Sequence, residues 1–256
     1  MNLILLDEGD RRDAGLVTLA DARAAHLLTV LKVTPGQTVR IGSVDGPLGV
    51  GTVESAADGR VTMRCGFEPE APPRPRVDLL LALPRPKVMR RLWAQLAALG
   101  VGRIILTNAE RVERHYFDTH VLTEACYRPL LVEGLQQARD TLLPAVSIHR
   151  QFKVLVEDRL DGLSGDGLRL VADPHATTSV AAALGGHRHI APGHGHRASD
   201  ERVLLAVGPE GGWNAFELAL LQTHRFRPIG LGPRTLRVDT ACTALLAIVH
   251  ATMQEP

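Results

Sequence analysis

Two glycine-bearing stretches near the C-terminus decide the fold: VGPEGGW at residues 207–213 and LGPRTLRVDTA at residues 231–241. Each follows a short apolar run and precedes a run with helical spacing. Open α/β proteins place such loops outside the ends of parallel strands, where they bind ligands. The chain between the two stretches is long enough for only one helix and one strand, so we expect both loops to form one site.

The chain around these loops alternates between strand-like and helical segments from residue 77 onward. Apolar runs predict strands at Val77–Leu83, Val101–Thr107, Ala145–His149, Leu168–Ala172, Val203–Val207 and Phe226–Ile229. The segments between these runs have helical character, for example after Pro86, which suits a first helical position. This alternation predicts an α/β fold with a mostly parallel sheet covered on both faces.

The N-terminal part has a different pattern. Short β-like runs at Thr38–Ser43, Gly49–Glu54 and Val61–Cys65 are separated by turn signals, and one helix is predicted at Ala22–Lys32, capped by Asp21. Short strands of this kind are typical of a small, closed β-barrel. We therefore expect a β-barrel domain at residues 1–70, a proline-rich linker at 71–76 and the α/β domain at 77–256.

Composition narrows the class of protein. The chain has 256 residues, 45% of them hydrophobic, and three widely spaced cysteines. It contains no run of ~20 apolar residues that could span a membrane, and its opening apolar run is too short for a signal peptide. We expect a cytoplasmic protein with neither a disulfide framework nor a bound metal.

The net charge of +1 hides a basic cluster between residues 74 and 91. A nucleic-acid footprint depends on how charge is distributed rather than on its total. Phosphate contact is one interpretation of this cluster, and an ordinary solvated surface is the other. The candidate phosphate-binding residues are Arg85, Lys87, Arg90 and Arg91.

The first loop leads into a helix predicted at Ala215–His224. Asn214 and Glu217 have the spacing of a capping box. Neither loop has the spacing of a P-loop or of the dinucleotide-binding fingerprint, so a phosphate cradle is not indicated. A tight turn without ligand contacts is the alternative interpretation of the first loop.

Two charged residues of the second loop have two interpretations each. Asp239 is either the N-cap of the next helix or a ligand-binding carboxylate. Arg237 either pairs with Asp239 or Glu210 inside the protein or faces a nucleic acid. The helix that follows, predicted at Cys242–Met253, is apolar almost all round, which favours burial against a second subunit as well as the core.

Together these motifs resemble a known family. The loops at residues 207–213 and 231–241 are similar to the signature pair of the small-subunit (16S) ribosomal RNA uridine-N3 methyltransferases, a branch of the SPOUT (alpha/beta-knot) superfamily. Weaker similarity covers the whole chain. It includes His26–Lys32 with Pro35-Gly36, and Gln136–Arg139. The chain departs from the family at Gln95, Ala98 and Asp239, where the family commonly has Lys, Glu and Glu.

The resemblance implies a C-terminal trefoil knot, a PUA-like N-terminal barrel that binds RNA, and a homodimer. It also implies that S-adenosyl-L-methionine is the methyl donor and that ribosomal RNA or the small ribosomal subunit is the partner. The implied donor-binding residues are Val207, Gly208, Gly212, Leu231, Gly232 and Leu236. Arg237 and Asp239 are the candidate catalytic residues because of their place in the second loop, with Arg237 as the cation near a uracil carbonyl oxygen and Asp239 as the base or orienting acceptor.

Rival interpretations stay open at this point. The chain could be a knotted methyltransferase for another nucleotide, or an RNA-binding protein that kept the fold without the activity. His175 is an ordinary loop residue by pattern, although it could approach the donor. His187, His189, His194 and His196 are interpreted as a surface loop, because no cysteine or carboxylate accompanies them as a metal ligand.

Overall fold

The computed structural model describes residues 3–10, 15–165, 167–188 and 202–254. The strands are β1 Ile4–Leu6, β2 Leu16–Leu19, β3 Thr38–Ser43, β4 Leu48–Ala57, β5 Arg60–Phe67, β6 Val77–Ala82, β7 Val101–Thr107, β8 Ala145–His149, β9 Leu168–Ala172, β10 Val203–Val207 and β11 Phe226–Ile229. The helices are α1 Ala22–Thr29, α2 Pro86–Ala98, α3 Glu124–Ala138, α4 Phe152–Val154, α5 Leu160–Ser164, α6 Val180–Arg188, α7 Ala215–Thr223 and α8 Val238–Gln254. Short 3-10 turns occupy Glu8–Asp10, Arg114–Asp118 and His120–Leu122, and a π-helical turn at Leu155–Arg159 joins α4 to α5.

The chain divides into two units. The first contains Met1–Arg74 and Leu131–Leu143, and the second contains Pro75–Leu130 and Pro144–Pro256. In the described part of the chain, no helix is both long and apolar enough to cross a bilayer.

The second unit is built on a six-stranded sheet with the order β11-β9-β10-β6-β7-β8. Every neighbouring pair is parallel, which confirms the predicted α/β fold with a parallel sheet. All residues of β6 and β10 are buried. Because successive side chains point to opposite faces of a sheet, both faces of these central strands are covered.

The register of this sheet aligns the carboxyl ends of its strands. Leu81 of β6 pairs with Val207 of β10, and Ala172 of β9 pairs with Ile229 of β11. On the other side, Thr107 of β7 pairs with His149 of β8. The loops that leave these strands therefore start from one row along one edge of the sheet.

The first unit contains a five-stranded sheet with the order β1-β3-β4-β5-β2. The β1–β3 pair is parallel and the other pairs are antiparallel. The turn between β4 and β5 has positive φ at Asp58 (51°) and Gly59 (72°), as a two-residue hairpin loop requires. Val17, Ile41, Val61 and other apolar side chains form the core of this unit.

Two local predictions have different outcomes. Helix α1 is capped by Asp21 as expected, but it ends at Thr29 rather than at Lys32. The reason is that Lys32 adopts a positive φ of 50° and the Val33 N–H bonds back to the Leu27 carbonyl. The capping box at the start of α7 is confirmed, with both reciprocal hydrogen bonds present between Asn214 and Glu217.

We predict that Asn214→Ala lowers the free energy of unfolding of the second unit by about 1 kcal/mol. The reason is that the Glu217 N–H, in the first turn of α7, loses the Asn214 side-chain oxygen as its acceptor. Asn214→Ser retains an N-cap acceptor and is expected to stay close to wild type. Both tryptophans, Trp93 and Trp213, lie in the second unit, so their fluorescence during urea unfolding reports on it. Equal losses in the Ala and Ser variants would contradict the capping role.

Candidate functional site

A cavity of about 290 Å³ lies at the carboxyl ends of β9, β10 and β11. Both glycine-bearing loops contribute to its wall, which the sequence predicts. The residues expected from the loops all line it: Val207, Gly208, Gly212, Leu231, Gly232 and Leu236. Apolar side chains from Ile229, Val238 and Leu245 complete the lining. The two loops therefore form one concave, largely apolar site, the usual character of a small-molecule pocket.

A third segment also lines the cavity, and it includes His175, which the sequence left as an ordinary loop residue that could approach the donor. It follows β9 and contains Asp173, Pro174 and His175. The His175 N–H donates to the Asp173 carboxylate at 2.9 Å, which fixes this turn. The signal available in the sequence was the position of these residues directly after a buried parallel strand.

Glycine is required in these loops for identifiable reasons. A Cβ on Gly208 would lie 3.1 Å from atoms of the Trp213 ring, too close for ordinary packing. Gly212 and Gly232 have positive φ values of 73° and 95°, which side chains disfavour. The backbone of both loops is thus unobstructed at the cavity. Trp213 itself is buried and packs on Phe152, with ring centroids 5.4 Å apart.

The first loop is held from outside by polar contacts. The Arg111 guanidinium donates to the Gly211 carbonyl oxygen. A Cβ on Gly211 would lie 2.8 Å from the Arg111 side chain, so the arginine passes close over this glycine. The Arg85 N–H donates to the Glu210 carboxylate at 3.2 Å. Residues that follow β6 and β7 thus support the loop that follows β10.

The second loop is held at its exit by an ion pair. Arg91 of α2 donates to the Asp239 carboxylate at 2.8 Å, and the same carboxylate accepts from the Thr240 N–H at 3.0 Å. The hydrogen bond from Arg91 lowers the pKa of Asp239, against a smaller opposing effect of burial. Asp239 lies in the first turn of α8, where the helix dipole also favours a negative charge.

Arg237 takes neither internal partner considered from the sequence. Its side chain is exposed, and within the described residues it forms no ion pair. Asp239 pairs with Arg91 instead, and Glu210 accepts from the backbone of Arg85. Neither Arg237 nor Asp239 lines the cavity, although both adjoin residues that do.

The basic residues predicted for phosphate contact lie at the start and along the exposed side of α2. Arg85, Lys87 and Arg90 are exposed. Arg91 is also exposed, but its guanidinium is committed to Asp239. The four residues therefore differ in their partners: the side chain of Arg91 is bonded to a carboxylate, and the other three side chains are exposed to solvent.

Among the described residues, no group of three or more His, Cys, Asp or Glu side chains could hold a metal ion. Of the histidine-rich segment considered from the sequence, His189, His194 and His196 lie outside the described residues, as does the side chain of His187.

Fold and site define a two-unit α/β protein with a glycine-walled pocket at the carboxyl edge of a parallel sheet. The model of the RNA methyltransferase domain family matches residues 71–250, more than half of the chain. The chain therefore belongs to the RNA methyltransferase domain family. This membership confirms the family resemblance carried by the two loops.

Individual relatives agree over nearly the whole length. The chain is 27% identical to ribosomal RNA small subunit methyltransferase E of Treponema pallidum, over 98% of this chain and 91% of the relative. It is 22% identical to ribosomal RNA small subunit methyltransferase E 1 of Borreliella burgdorferi, over 99% of each. It shares its fold with the crystal structure of ribosomal RNA small subunit methyltransferase E from Neisseria gonorrhoeae bound to S-adenosyl methionine, with a TM-score of 0.73, 19% identity, and coverage of 98% of this chain and 97% of that one.

We predict a measurable coupling between Arg91 and Asp239 in a double-mutant cycle built from Arg91→Gln and Asp239→Asn. At pH 7 the coupling energy for unfolding should be about 0.2–1 kcal/mol, as for other partly exposed pairs. Because the pKa of Asp239 is lowered, the pair stabilises the fold above the unfolded value of 3.8. This stabilisation is lost as the pH falls through the lower, folded-state pKa.

The matched control is the same cycle with Arg90→Gln, an exposed neighbour with no bond to Asp239. Its coupling should be near zero at every pH. Urea titrations at pH 7 and at decreasing acid pH measure both cycles. A coupling that is equal for Arg90 and Arg91, or that persists after Asp239 is protonated, would show that the pair does not act as described.

Proposed function

We propose that this chain is an S-adenosyl-L-methionine-dependent methyltransferase that methylates N3 of a uridine in small-subunit (16S) ribosomal RNA. The observation that carries the proposal is the convergence of both glycine-bearing loops on one cavity in a chain of the RNA methyltransferase family. The names of its relatives support ribosomal RNA as the substrate. The similarity of the two loops to the signature pair of the uridine-N3 enzymes supports the position of methylation.

The cavity fits the proposed donor in its chemistry. Its wall combines apolar side chains with the backbone of glycine-bearing loops, which suits an adenine ring and its hydrogen-bonding edge. When bound, S-adenosyl-L-methionine supplies an electrophilic methyl group on a sulfonium. We assign donor binding to Val207, Gly208 and Gly212 on one side, and to Leu231, Gly232 and Leu236 on the other.

Arg237 and Asp239 are proposed to act on the uracil. N3 of uracil carries a proton and becomes nucleophilic when that proton is transferred to solvent water. An exposed guanidinium such as that of Arg237 would stabilise negative charge on a uracil carbonyl oxygen. The lowered pKa makes Asp239 a weak proton acceptor, so we assign it the orienting role rather than that of the base.

Several finer features accompany this proposal. The second unit is proposed to contain the trefoil knot. Two contacts support this: Gly230 lies close to the Ala176 carbonyl, and the Gly230 N–H donates to the Thr178 carbonyl.

The domain limits are proposed at residues 1–70, 71–76 and 77–256, with the first domain a PUA-like RNA-binding barrel. Exposed Phe216 and Ile248 on α7 and α8 support a homodimer. Arg85, Lys87 and Arg90 are proposed to contact RNA phosphates, with Arg91 holding Asp239, in a cytoplasmic enzyme.

The proposal is tested by incubating the full chain with transcribed small-subunit ribosomal RNA, or with small subunits lacking modification, and S-adenosyl-L-methionine. Nucleoside mass spectrometry then identifies the product. We expect 3-methyluridine to accumulate with time. Saturable donor binding with a different methylated nucleoside would refute the N3 assignment, and RNA binding without donor binding would refute the activity.

A glycine variant connects the activity to the cavity. Gly232→Ala forces a side chain into a positive-φ position, which costs about 1–2 kcal/mol and is expected to weaken donor binding about 5- to 30-fold in calorimetry. Gly59→Ala is the matched control, because Gly59 also has positive φ (72°) but lies in a hairpin of the first unit. If both variants bind the donor equally well, the second loop does not form the donor site.

We predict that Arg237→Gln slows single-turnover methylation of RNA by at least 10-fold while donor affinity changes less than threefold, because its charge acts at the uracil and not at the donor. Arg227→Gln is the control, since Arg227 is an exposed arginine of β11 that does not line the cavity, and it should leave both measurements unchanged. Equal small effects of Arg237→Gln on both measurements would remove Arg237 from the catalytic group.

A further inference from the structure

A second cavity, of about 220 Å³, lies in the second unit at the carboxyl end of β8. His149, the last residue of that strand, lines it together with Arg150 and Gln151 of the following turn. Arg159 closes it from the π-helical turn. No carboxylate belongs to this lining within the described residues. A concave site with guanidinium, imidazole and amide groups and no acid has the composition of an anion site.

The two arginines have different bonding states. Arg150 donates to the exposed Asp118 carboxylate at 2.9 Å and to the Phe117 carbonyl at 3.0 Å, both through one nitrogen. These contacts orient the guanidinium and leave its other donors without a partner in the described part of the chain. Arg159 is exposed and, over the same residues, forms no ion pair or hydrogen bond through its side chain. Two lining residues from separate segments, Arg150 and Arg159, therefore have donors available for a phosphate.

Local backbone geometry puts Arg159 at this place. The turn Leu155–Arg159 is π-helical between two α-helical segments, and Arg159 is its last residue. Single π turns within helices occur frequently at functional sites. Arg159 also lies close enough to His149 to affect its imidazole. The pKa of His149 is lowered, mainly by burial and to a smaller extent by the positive charge of Arg159.

The sheet register relates this cavity to the one in the glycine loops. His149 pairs with Thr107, Thr107 with Ala82, and the neighbouring Leu81 with Val207 at the wall of the first cavity. Three strand spacings separate His149 from Val207, about 14 Å at 4.8 Å each. Both cavities open from the same edge of the sheet, at a separation that a few nucleotides of one RNA strand can span.

We propose that the cavity formed by His149, Arg150, Gln151 and Arg159 binds a backbone phosphate of the RNA that is methylated at the glycine-loop site. This inference rests on the proposed function and names a further contact of the same substrate. A phosphate oxygen matches the guanidinium donors of Arg150 and Arg159. The Gln151 amide supplies a neutral donor to the same group.

The test compares the salt dependence of RNA binding by full-length variants. Arg159→Gln should reduce the slope of log affinity against log salt concentration by about 0.7 to 0.9, the loss of one phosphate contact. Arg159→Lys keeps the charge and should restore most of the slope. Lys153→Gln is the matched control: it removes a nearby exposed positive charge that does not line the cavity, and it should leave the slope unchanged.

The binding probe is a fluorescent fragment of small-subunit ribosomal RNA, and donor binding and melting temperature are measured for each variant. Equal slopes for Arg159→Gln and Lys153→Gln would overturn the inference. A second measurement follows the His149 imidazole signal by NMR during titration with inorganic phosphate. If phosphate saturates the site while Arg159→Gln leaves RNA binding intact, the cavity takes a free anion, and the RNA assignment is wrong. Methylation of RNA by the wild-type chain is measured separately. If it is observed, an unfavourable result for the phosphate site leaves the proposed function unaffected.

Discussion

The register of the parallel sheet is the constraint on which the site depends. The carboxyl ends of these parallel strands lie side by side because the strands pair in register. The loop after each strand therefore begins at the same end of the sheet. Segments far apart in the chain, at residues 173–175, 207–212 and 231–236, thereby meet around one cavity. The complete burial of β6 and β10 makes a slip of this register costly, because a shifted strand would change every contact on both faces.

Glycine loops need support from elsewhere, because they have few side chains with which to anchor themselves. Two arginines supply it from neighbouring elements: Arg111 bonds the Gly211 carbonyl, and Arg91 bonds Asp239 at the exit of the second loop. Contacts of this kind add little net stability, about 0.2–1 kcal/mol for a partly exposed ion pair such as Arg91–Asp239. Their main effect is geometric, since they fix backbone that must stay uncovered at the cavity. Arg91 is thus a positioning residue for the second loop.

Sequence patterns predicted the second unit well because its strands are buried on both faces. Val203–Val207 and Leu168–Ala172 are continuous apolar runs, and the observed strands have the same limits. Local sequence patterns could not predict features that depend on contacts between distant parts of the chain. The strands β1 and β2 have only three and four residues, too few to show a period. Leu131–Leu143 groups with the N-terminal residues, and Arg91 reaches Asp239 across 148 positions, which no local pattern encodes.

The same reasoning explains why only part of the basic character of the sheet edge was predicted from the sequence, where Arg85 belongs to the basic cluster at residues 74–91. Its arginines come from separate loops: Arg85 after β6, Arg114 after β7, and Arg150 with Arg159 after β8. A helix or longer crossover separates these loops in sequence, so Arg114, Arg150 and Arg159 do not extend the run that contains Arg85. Strand order makes them neighbours, because β6, β7 and β8 are adjacent in the sheet. The edge is thereby divided: β9, β10 and β11 end in uncovered backbone suited to a small ligand, and β6, β7 and β8 end in cations suited to a polyanion. A transfer between a small donor and RNA needs both surfaces within reach of each other, and a single parallel sheet provides them on one edge.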